Sequence, residues 1–416
     1  MVQFLNEDQF DQLLAQGALQ RAWIDDLAHR VATFHRMIPP ICTNSPYGTP
    51  VAVFKAVIEN FRHLRVRSQS FADRRRVTSL ETWSRTQYAR LAPLMAARRS
   101  GKFVRECHGD AHLGNIFLIS GEVTIRDAIQ SNSDLRWIDT INEVALLLMD
   151  FDERGAFDFA ARFLDLYLED NGDYAGLALL RFYQVYQALV RAKKMAIHLN
   201  RKDLDMTERD ATLASYRRYL KLALGYTRPS PRLLVIAHGP SGVGKTTLTN
   251  HLLHRLGAIR IRSDVERKRL FGLMPLERSE SRQFEGIYTA EANRRTYQRI
   301  EDLAAEVLAA GFTVIVEATF LKRRGRDAMR ALAARQGAVF ALLDLRATPA
   351  TLHARIVERQ RVGLDASEAG VAVLEHQLAT AEPLTNDEMG AALLVDTESN
   401  VDMDDLAAWL RARACG

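Results

Sequence analysis

The chain is poor in the features that mark secreted, membrane-spanning and fibrous proteins. Its 416 residues include only three cysteines, Cys42, Cys107 and Cys415, too few and too widely spaced for a disulfide framework or a zinc site. No stretch reaches the roughly 18 uncharged apolar residues typical of a transmembrane helix, and no fixed-period repeat is present. The opening MVQFLNEDQF carries acidic residues where a signal peptide would need a basic region. We therefore expect a cytoplasmic protein without a membrane partner.

The composition is that of a globular protein, with 47% hydrophobic and 26% charged residues. A chain of this length exceeds what one hydrophobic core usually serves, so we expect two domains. The net charge of +5 comes from many arginines, which alternate with acidic residues along helical patterns. A nucleic-acid partner is possible but is not required, because arginine clusters facing a phosphate-bearing substrate would explain the same excess. The composition does not indicate whether the protein is a monomer or an oligomer.

The first half of the sequence is predicted to be mainly helical. Residues 7–100 show apolar side chains at helical spacing, such as Ile24, Leu27 and Val31, and contain no convincing strand pair. A short apolar run at residues 103–107 then leads into HGDAHLGNIFLI and, after a Ser-Gly turn, into VTIRDAI, which predicts a β-hairpin. Further helices are predicted at about residues 138–151, 157–169, 174–198 and 207–226.

The pattern changes after residues 227–231, which contain two prolines and are predicted to form a linker between domain 1–226 and domain 232–416. Five apolar segments then alternate with helical ones: LLVIAHG, AIRIRSD, FTVIVEAT, VFALLDL and ALLVDT. Such alternation predicts an α/β domain with a parallel sheet of about five strands, covered on both faces. Ligands bind such sheets at the carboxyl ends of the strands.

A phosphate-binding loop follows the first of these strands and precedes a helical segment. The motif G-x-x-x-x-G-K-[ST] is matched, and the nucleotide-binding residues predicted from it are Gly239, Pro240, Ser241, Gly242, Val243, Gly244, Lys245, Thr246 and Thr247. Its glycines turn backbone N–H groups toward phosphate oxygens, Lys245 reaches the β/γ-phosphates, and the Thr246 hydroxyl is a magnesium ligand. The predicted cofactors are therefore ATP and Mg²⁺.

Two acidic residues stand at the carboxyl ends of neighbouring strands. Asp264 is expected one strand from the P-loop, where it can accept a proton from an attacking hydroxyl; alternatively it is the N-cap of a helix that begins at Val265. Glu317 ends the third strand and is predicted to hold a magnesium-bound water or the substrate; alternatively it is a polar strand end at the rim of the sheet.

Two arginines share one face of a later helix, because Arg355 and Arg359 are four residues apart. This spacing suits a lid that closes over the transferring phosphate. Alternatively the face is solvated, and Glu358 and Asp365 pair with these two arginines and with Arg361, which follows just beyond.

The segments GPSGVGKTT, RSD, VEAT and the arginine-rich stretch ending in DASEA resemble the P-loop kinases that include gluconate kinase, polynucleotide 5′-kinase and zeta toxins. The resemblance covers about residues 232–400, and these relatives commonly carry Asp where this chain has Glu317. It implies an enzyme that transfers phosphate from ATP to a hydroxyl group.

The first half carries a second kinase-like motif. HGDAHLGN, followed by Asp127, resembles the catalytic loop of aminoglycoside phosphotransferases. The resemblance implies that Asp110 is a catalytic base and that Asn115 and Asp127 hold magnesium, and oxygen ligands of this kind suit a hard cation.

The resemblance covers only the helical C-lobe of that family, about residues 5–225. No Gly-rich loop, strand lysine or helix glutamate of a β-lobe precedes residue 100. The order of the two halves is similar to that of bacterial proteins in which an aminoglycoside-phosphotransferase-like domain precedes a P-loop kinase domain. We therefore expect a kinase-like N-terminal domain that is inactive by itself.

Three functions remain open from the sequence. The first is an ATP-dependent phosphotransferase acting on a small or nucleotide-like acceptor, and the second is a switch protein in which ATP turnover regulates binding of a partner. The third is an RNA 5′-end kinase, favoured by a basic run that comprises Arg262, Arg267, Lys268 and Arg269. An Asp264 that faces the acceptor is needed for transfer, whereas an Asp264 buried as a helix cap would favour the switch.

Overall fold

The computed structural model describes residues 8–279, 281, 285–363 and 365–415. Residues 1–7, at which the predicted helical region and the family's hinge would begin, lie outside this part of the chain. The chain forms two compact units: unit 1 comprises Met1–Tyr167 and Gly176–Pro229, and unit 2 comprises Leu168–Ala175 and Ser230–Gly416. Within the described ranges, no helix has the length and apolar character needed to cross a lipid bilayer.

Unit 1 is built mainly of helices, as the sequence predicts. Several of the long helices begin at a capping residue; Thr49, for example, accepts a hydrogen bond from the backbone N–H of Ala52, and Pro50 occupies the first helical position of α3. The helices are α1 (Phe10–Ala15), α2 (Arg21–Met37), α3 (Pro50–Val66), α4 (Phe71–Ser100), α5 (Thr140–Glu153), α6 (Phe157–Asn171), α7 (Leu177–His198) and α8 (Met206–Tyr226). The residues of α6 from Leu168 onward are grouped with unit 2.

Four short strands interrupt these helices. The predicted hairpin is confirmed as β2 (Ile116–Ile119) paired with β3 (Glu122–Ile125) across the Ser-Gly turn. The run at 103–107 forms β1 (Val104–Glu106), which pairs with β4 (Trp137–Asp139). The helix predicted from about residue 138 therefore begins later, at Thr140, because the preceding residues are in a strand and Asp139 caps the helix.

Unit 2 contains the predicted five-stranded parallel sheet. Its strands are β5 (Leu233–His238), β6 (Ala258–Arg262), β7 (Thr313–Glu317), β8 (Val339–Arg346) and β9 (Ala392–Asp396). They lie in the order β6-β7-β5-β8-β9, and every neighbouring pair is parallel. The order corrects one expectation: β7, which ends in Glu317, is next to the P-loop strand β5, and the strand that precedes Asp264 lies beyond it.

Helices alternate with these strands, β7 is buried along its whole length, and β5 is buried as far as Ala237. The helices are α9 (Lys245–Leu256), α10 (Ser263–Leu270), α11 (Ala290–Ala309), α12 (Arg323–Arg335), α13 (Pro349–Val362), α14 (Val371–Thr380), α15 (Asn386–Met389) and α16 (Met403–Cys415). Covering both faces with helices explains why β5 and β7 read as uninterrupted apolar runs and do not alternate with polar residues.

A buried ion pair joins α12 to α15. The guanidinium of Arg326 donates to both carboxylate oxygens of Glu388 at 2.6 and 3.0 Å, and the two side chains are 1% and 0% exposed. The same guanidinium donates to the carbonyl oxygens of Phe320, Glu382 and Pro383 at 3.1–3.2 Å. This arginine therefore fixes the chain that follows β7 against the chain that follows α14.

Candidate functional site

The P-loop of unit 2 connects β5 to α9 in a conformation that requires glycine. Gly239 and Gly242 have φ angles of 144° and 82°. A Cβ atom at Gly239 would lie 2.8 Å from the carbonyl oxygen of Leu345, and one at Gly242 would lie 2.9 Å from that of Leu352. Both glycines therefore allow a tight turn packed against neighbouring backbone, after which helix α9 begins at Lys245.

Lys245 lies inside this turn. Its Nζ atom donates to the carbonyl oxygens of Gly239 and Pro240, both at 2.9 Å. Burial lowers the pKa of Lys245 to about 8, although the Glu317 and Asp264 carboxylates act in the opposite direction. An anionic phosphate beside the ammonium would therefore favour its charged form.

Glu317 accepts hydrogen bonds from two hydroxyl groups of α9. The Oγ1 atom of Thr246 lies 2.5 Å from Oε1, and that of Thr249 lies 3.0 Å from Oε2. The guanidiniums of Arg260 and Arg262 each come within 3.5 Å of the carboxylate. Burial raises the pKa of Glu317, but the two guanidiniums and the Thr246 hydrogen bond bring it below its ordinary value. An ionised carboxylate beside a hydroxyl offers the hard oxygen ligands that magnesium prefers.

Asp264 lies in the first turn of α10 and lines the same cavity as the P-loop. The helix begins at Ser263 with Arg262 in the N-cap position, so the alternative interpretation of Asp264 as a cap is wrong. The side chain is half-buried, and no hydrogen bond or ion pair with the described residues engages its carboxylate.

The two arginines of α13 differ in their contacts. Arg355 donates to the carbonyl oxygen of Val243 in the P-loop at 3.3 Å and to the backbone and hydroxyl oxygens of Thr397 at 2.8 and 3.0 Å. Arg359 donates to the carbonyl oxygen of Ala369 at 2.6 Å. Both line the cavity. Of the acidic partners expected for a solvated face, Glu358 pairs with Arg361, as that alternative expected, whereas Asp365 pairs with Arg262.

The cavity has a volume of about 1610 Å³ and brings most of the predicted residues together. Of the predicted P-loop residues, Gly239, Pro240 and Val243 do not line it; Val243 is a core residue with no exposed surface. The predicted residues that do line the cavity are Ser241, Gly242, Gly244, Lys245, Thr246, Thr247, Asp264, Glu317, Arg355 and Arg359.

Several residues of the site were not predicted. Gln377 of α14 accepts a hydrogen bond from the backbone N–H of Ser241 at 2.8 Å, across 136 positions of sequence. Thr249 and Arg260 had local signals: Thr249 is one helical turn beyond Thr246, and Arg260 alternates with Arg262 along β6. Gln377 had none, because its contact exists only after the chain has folded.

The basic run, which consists of the N-cap residue and the last turn of α10, does not form an exposed basic patch. All four of its members are half-buried or buried, with Lys268 only 1% exposed. Each has an internal partner: Arg262 has Asp365, Arg267 has the carbonyl of Ile287, Lys268 has Glu368, and Arg269 has Glu266. The pattern that favoured RNA binding is therefore explained by contacts inside unit 2.

In unit 1 the HGDAHLGN segment connects β1 to β2. One carboxylate oxygen of Asp110 lies 3.4 Å from the Arg191 guanidinium of α7, and the Asn115 amide donates to the Asp110 carbonyl at 2.9 Å. Asp127 is exposed and has a φ of 60°, a left-handed conformation. Its neighbour Arg126 is bound to the loop through its N–H, which donates to the Asn115 carbonyl at 2.9 Å.

Two buried acids of α5 hold this loop in place. The backbone N–H of Gly109 donates to Glu143 at 2.6 Å, and the backbone N–H of Leu113 donates to Asp150 at 2.9 Å. Glu143 also contacts a buried ring nitrogen of His35 at 2.8 Å. These anchors were not predicted, because acids inside an apolar helix give no sign of which backbone they bind.

Comparison with known families places one match on unit 2. Residues 234–384 match a family model described as an AAA domain (AAA_33). The matched segment contains the P-loop, Asp264, Glu317 and both α13 arginines. Together with the geometry of the loop, this match makes unit 2 a P-loop nucleotide-binding domain.

Similar proteins and structures come from several bacteria. An uncharacterized protein of Mycobacterium tuberculosis is 25% identical over 392 residues, which are 92% of this chain and 78% of that protein. A putative kinase from Chloroflexus aurantiacus is 21% identical and is matched by 44% of this chain and 99% of its own, with a TM-score of 0.36. A gluconokinase from Sinorhizobium meliloti is 21% identical, with 45% and 94% covered and a TM-score of 0.31.

Proposed function

We propose that unit 2 is an ATP- and magnesium-dependent phosphotransferase that acts on a hydroxyl group of a small or nucleotide-like acceptor. One observation carries the proposal. The carboxylate of Asp264 forms no hydrogen bond or ion pair with the described residues and lines the same cavity as Lys245 and Thr246. A carboxylate placed in this way can serve as a base for an acceptor that lies against the γ-phosphate.

The transfer assigns a separate role to each side chain. Asp264 takes the proton of the acceptor hydroxyl while the oxygen of that hydroxyl forms a bond to the γ-phosphorus. The bond between the γ-phosphorus and the oxygen that bridges it to the β-phosphate breaks, and ADP is released. Lys245 balances the charge that develops on the phosphate oxygens, and Arg355 and Arg359 approach them from α13.

Thr246 and Glu317 would hold magnesium, directly or through bound water. Their hydroxyl and carboxylate oxygens fit a small hard cation, and the two groups lie 2.5 Å apart. Bound there, the ion would neutralise phosphate charge, whereas Arg260 and Arg262 keep the carboxylate of Glu317 in place.

For unit 1 we propose that no independent kinase activity exists. In the resemblance, Asp110 is the base and Asn115 and Asp127 hold magnesium, but such groups act only on a triphosphate that is clamped above them. The carboxylate of Asp110 is also engaged by Arg191. An acceptor hydroxyl would have to displace or share that contact.

The two alternatives have less support. An RNA 5′-end kinase was favoured by a basic run whose members are engaged inside unit 2. A switch protein needs no unpartnered carboxylate in the nucleotide cavity, whereas Asp264 has that position and is not a helix cap.

A transfer screen tests the proposal. The full chain is incubated with γ-labelled ATP and magnesium against pools of metabolites and RNA, and labelled products are separated. The matched control is Lys245→Ala, which removes the charge at the phosphates at a cost of several kcal/mol in the transition state and should abolish ATP turnover. Equal hydrolysis by the variant and the unchanged chain would overturn the proposal.

A further inference from the structure

A segment of unit 2 covers one side of the nucleotide cavity. Residues 365–380, here called the lid segment, comprise the chain before α14 and α14 itself, and most of them line the cavity. At one end of the lid segment, Gln377 contacts the P-loop at Ser241. The other end is bound to a different part of the cavity wall.

That second attachment is centred on Glu368. Its carboxylate accepts hydrogen bonds from the backbone N–H of Ser279 at 2.9 Å and from the Ser279 hydroxyl at 2.5 Å. The Nζ atom of Lys268 lies 3.1 Å from Oε1, and the Tyr288 hydroxyl lies 3.5 Å from Oε2. These donors come from α10 and from the chain between α10 and α11, so one carboxylate joins the lid segment to both.

The lysine makes this contact costly to break. Lys268 is 1% exposed, and its other partner is the carbonyl oxygen of Pro275 at 3.0 Å. If the lid segment moved away, the buried ammonium of Lys268 would lose the carboxylate of Glu368, which is its only carboxylate partner among the described residues. A buried charge without a counter-charge is strongly unfavourable. The contact therefore favours the closed position.

Helix α10, whose Lys268 contacts Glu368, also carries the proposed base Asp264. Lys268 lies one turn after Asp264 on α10, and Glu368 adjoins Ala369, whose carbonyl oxygen binds Arg359. We propose that Glu368 is a positioning residue that latches the lid segment to the acceptor side of the cavity, so that acceptor capture and lid closure are coupled. The latch itself rests on the contacts of Glu368, whereas the acceptor side and the kinetic consequence rest on the proposed phosphotransferase function.

Hydrogen–deuterium exchange of the nucleotide-free full chain tests the latch. Glu368→Gln keeps the size of the side chain but removes its charge, and it should raise exchange in residues 365–380 by about tenfold, because local opening becomes easier. Ser279→Ala removes one donor only and should give a smaller rise in the same residues. The matched control is Glu375→Gln, which removes an exposed carboxylate from the same lid segment and should leave exchange unchanged.

The result that overturns the latch is unchanged exchange in both Glu368→Gln and Ser279→Ala, or an equal rise in Glu375→Gln. Circular dichroism of each variant shows whether the fold is kept. If Glu368→Gln does not fold, the smaller change in Ser279→Ala decides the question. These outcomes do not depend on any transfer activity, so the latch and the phosphotransferase can fail separately.

A kinetic measurement separates positioning from a purely structural role. With the acceptor identified in the transfer screen, Glu368→Gln should raise the KM for the acceptor by about tenfold and change the KM for ATP and kcat by less than about threefold. A latch that acts only on the fold would change all three together. Equal effects on the two substrates would exclude coupling to the acceptor side.

Discussion

Asp264 is the residue whose substitution best separates nucleotide binding from phosphoryl transfer. We expect Asp264→Asn to bind an ATP analogue with unchanged affinity but to lose transfer to the acceptor, because the amide keeps the size of the side chain and loses its basicity. The measurement pairs calorimetric titration of the analogue with the γ-label transfer assay at neutral pH.

The control for that prediction is Asp405→Asn, which removes an exposed carboxylate from α16 of the same unit and should change neither property. Transfer by Asp264→Asn at the unchanged rate would place the base elsewhere, and Glu317 would then be the next candidate.

Lys245 gives the nucleotide site a dependence on pH. Because burial lowers the pKa of Lys245 to about 8 in the nucleotide-free protein, the ammonium is lost as pH rises through that value. A triphosphate binds the charged form better, so affinity for an ATP analogue should fall between about pH 7 and 9.5. Lys245→Arg keeps its charge over this range and should bind with a flatter pH profile. The same decline in both proteins would assign the effect to another group.

At the scale of single residues, the sequence predicted groups that belong to a local motif and missed groups that reach the site from far away. Lys245, Thr246 and Asp264 follow strand ends and could be placed by the pattern alone. Gln377 and Glu368 could not, because their partners are 136 and 89 positions away and neither contact has a sequence signature.

Among the elements of unit 2, α12 depends on the ion pair between Arg326 and Glu388. Arg326→Ala should lower the free energy of unfolding by about 3–5 kcal/mol, because it leaves a buried carboxylate without its partner. Arg330→Ala, on the same helix, removes an ion pair with the exposed Asp387 and a contact with the Phe340 ring, and should cost about 0–1 kcal/mol. Denaturant titration of both variants measures the difference, and equal losses would contradict the assignment.

The same pair gives a dependence of stability on acidity. The hydrogen bonds from Arg326 come first among the causes that lower the pKa of Glu388 to about 2. The folded protein binds a proton at Glu388 less readily than the unfolded chain does. The contribution of the ion pair to the free energy of unfolding is therefore complete at pH values above the pKa of this glutamate in the unfolded chain, and it disappears as pH falls toward 2.

The order of the strands shows what the pattern of elements leaves open. Alternating strands and helices predicted a parallel sheet correctly, but the position of β7 between β5 and β6 depends on how each helix crosses the sheet. As a result, Glu317 is closer to the P-loop strand than the sequence order suggested, and its contact with Thr246 follows from that position.

For the whole molecule we expect ATP turnover to depend on the P-loop motif of unit 2 and not on the HGDAHLGN motif of unit 1. Asp110→Ala in the full chain should leave ATP turnover unchanged, because the proposed chemistry lies in unit 2. Asp203→Ala, which removes an exposed partner of Arg201 in unit 1, is the control. Loss of turnover in Asp110→Ala alone would mean that unit 1 takes part in the reaction.

The chain passes between the two units three times, because Leu168–Ala175 belongs to unit 2 while the residues on both sides belong to unit 1. That short segment supplies Glu169, which is 6% exposed and lies 3.3 Å from Arg260 and 3.4 Å from Arg262. A recombinant fragment that starts at Ser230 would retain both buried guanidiniums and lack this carboxylate. The segment from Ser230 onward is therefore not a complete unit by itself. Without Glu169, the truncated protein would keep an intact P-loop, but the buried arginines beside its nucleotide cavity would lack one of their counter-charges and its core would be less stable.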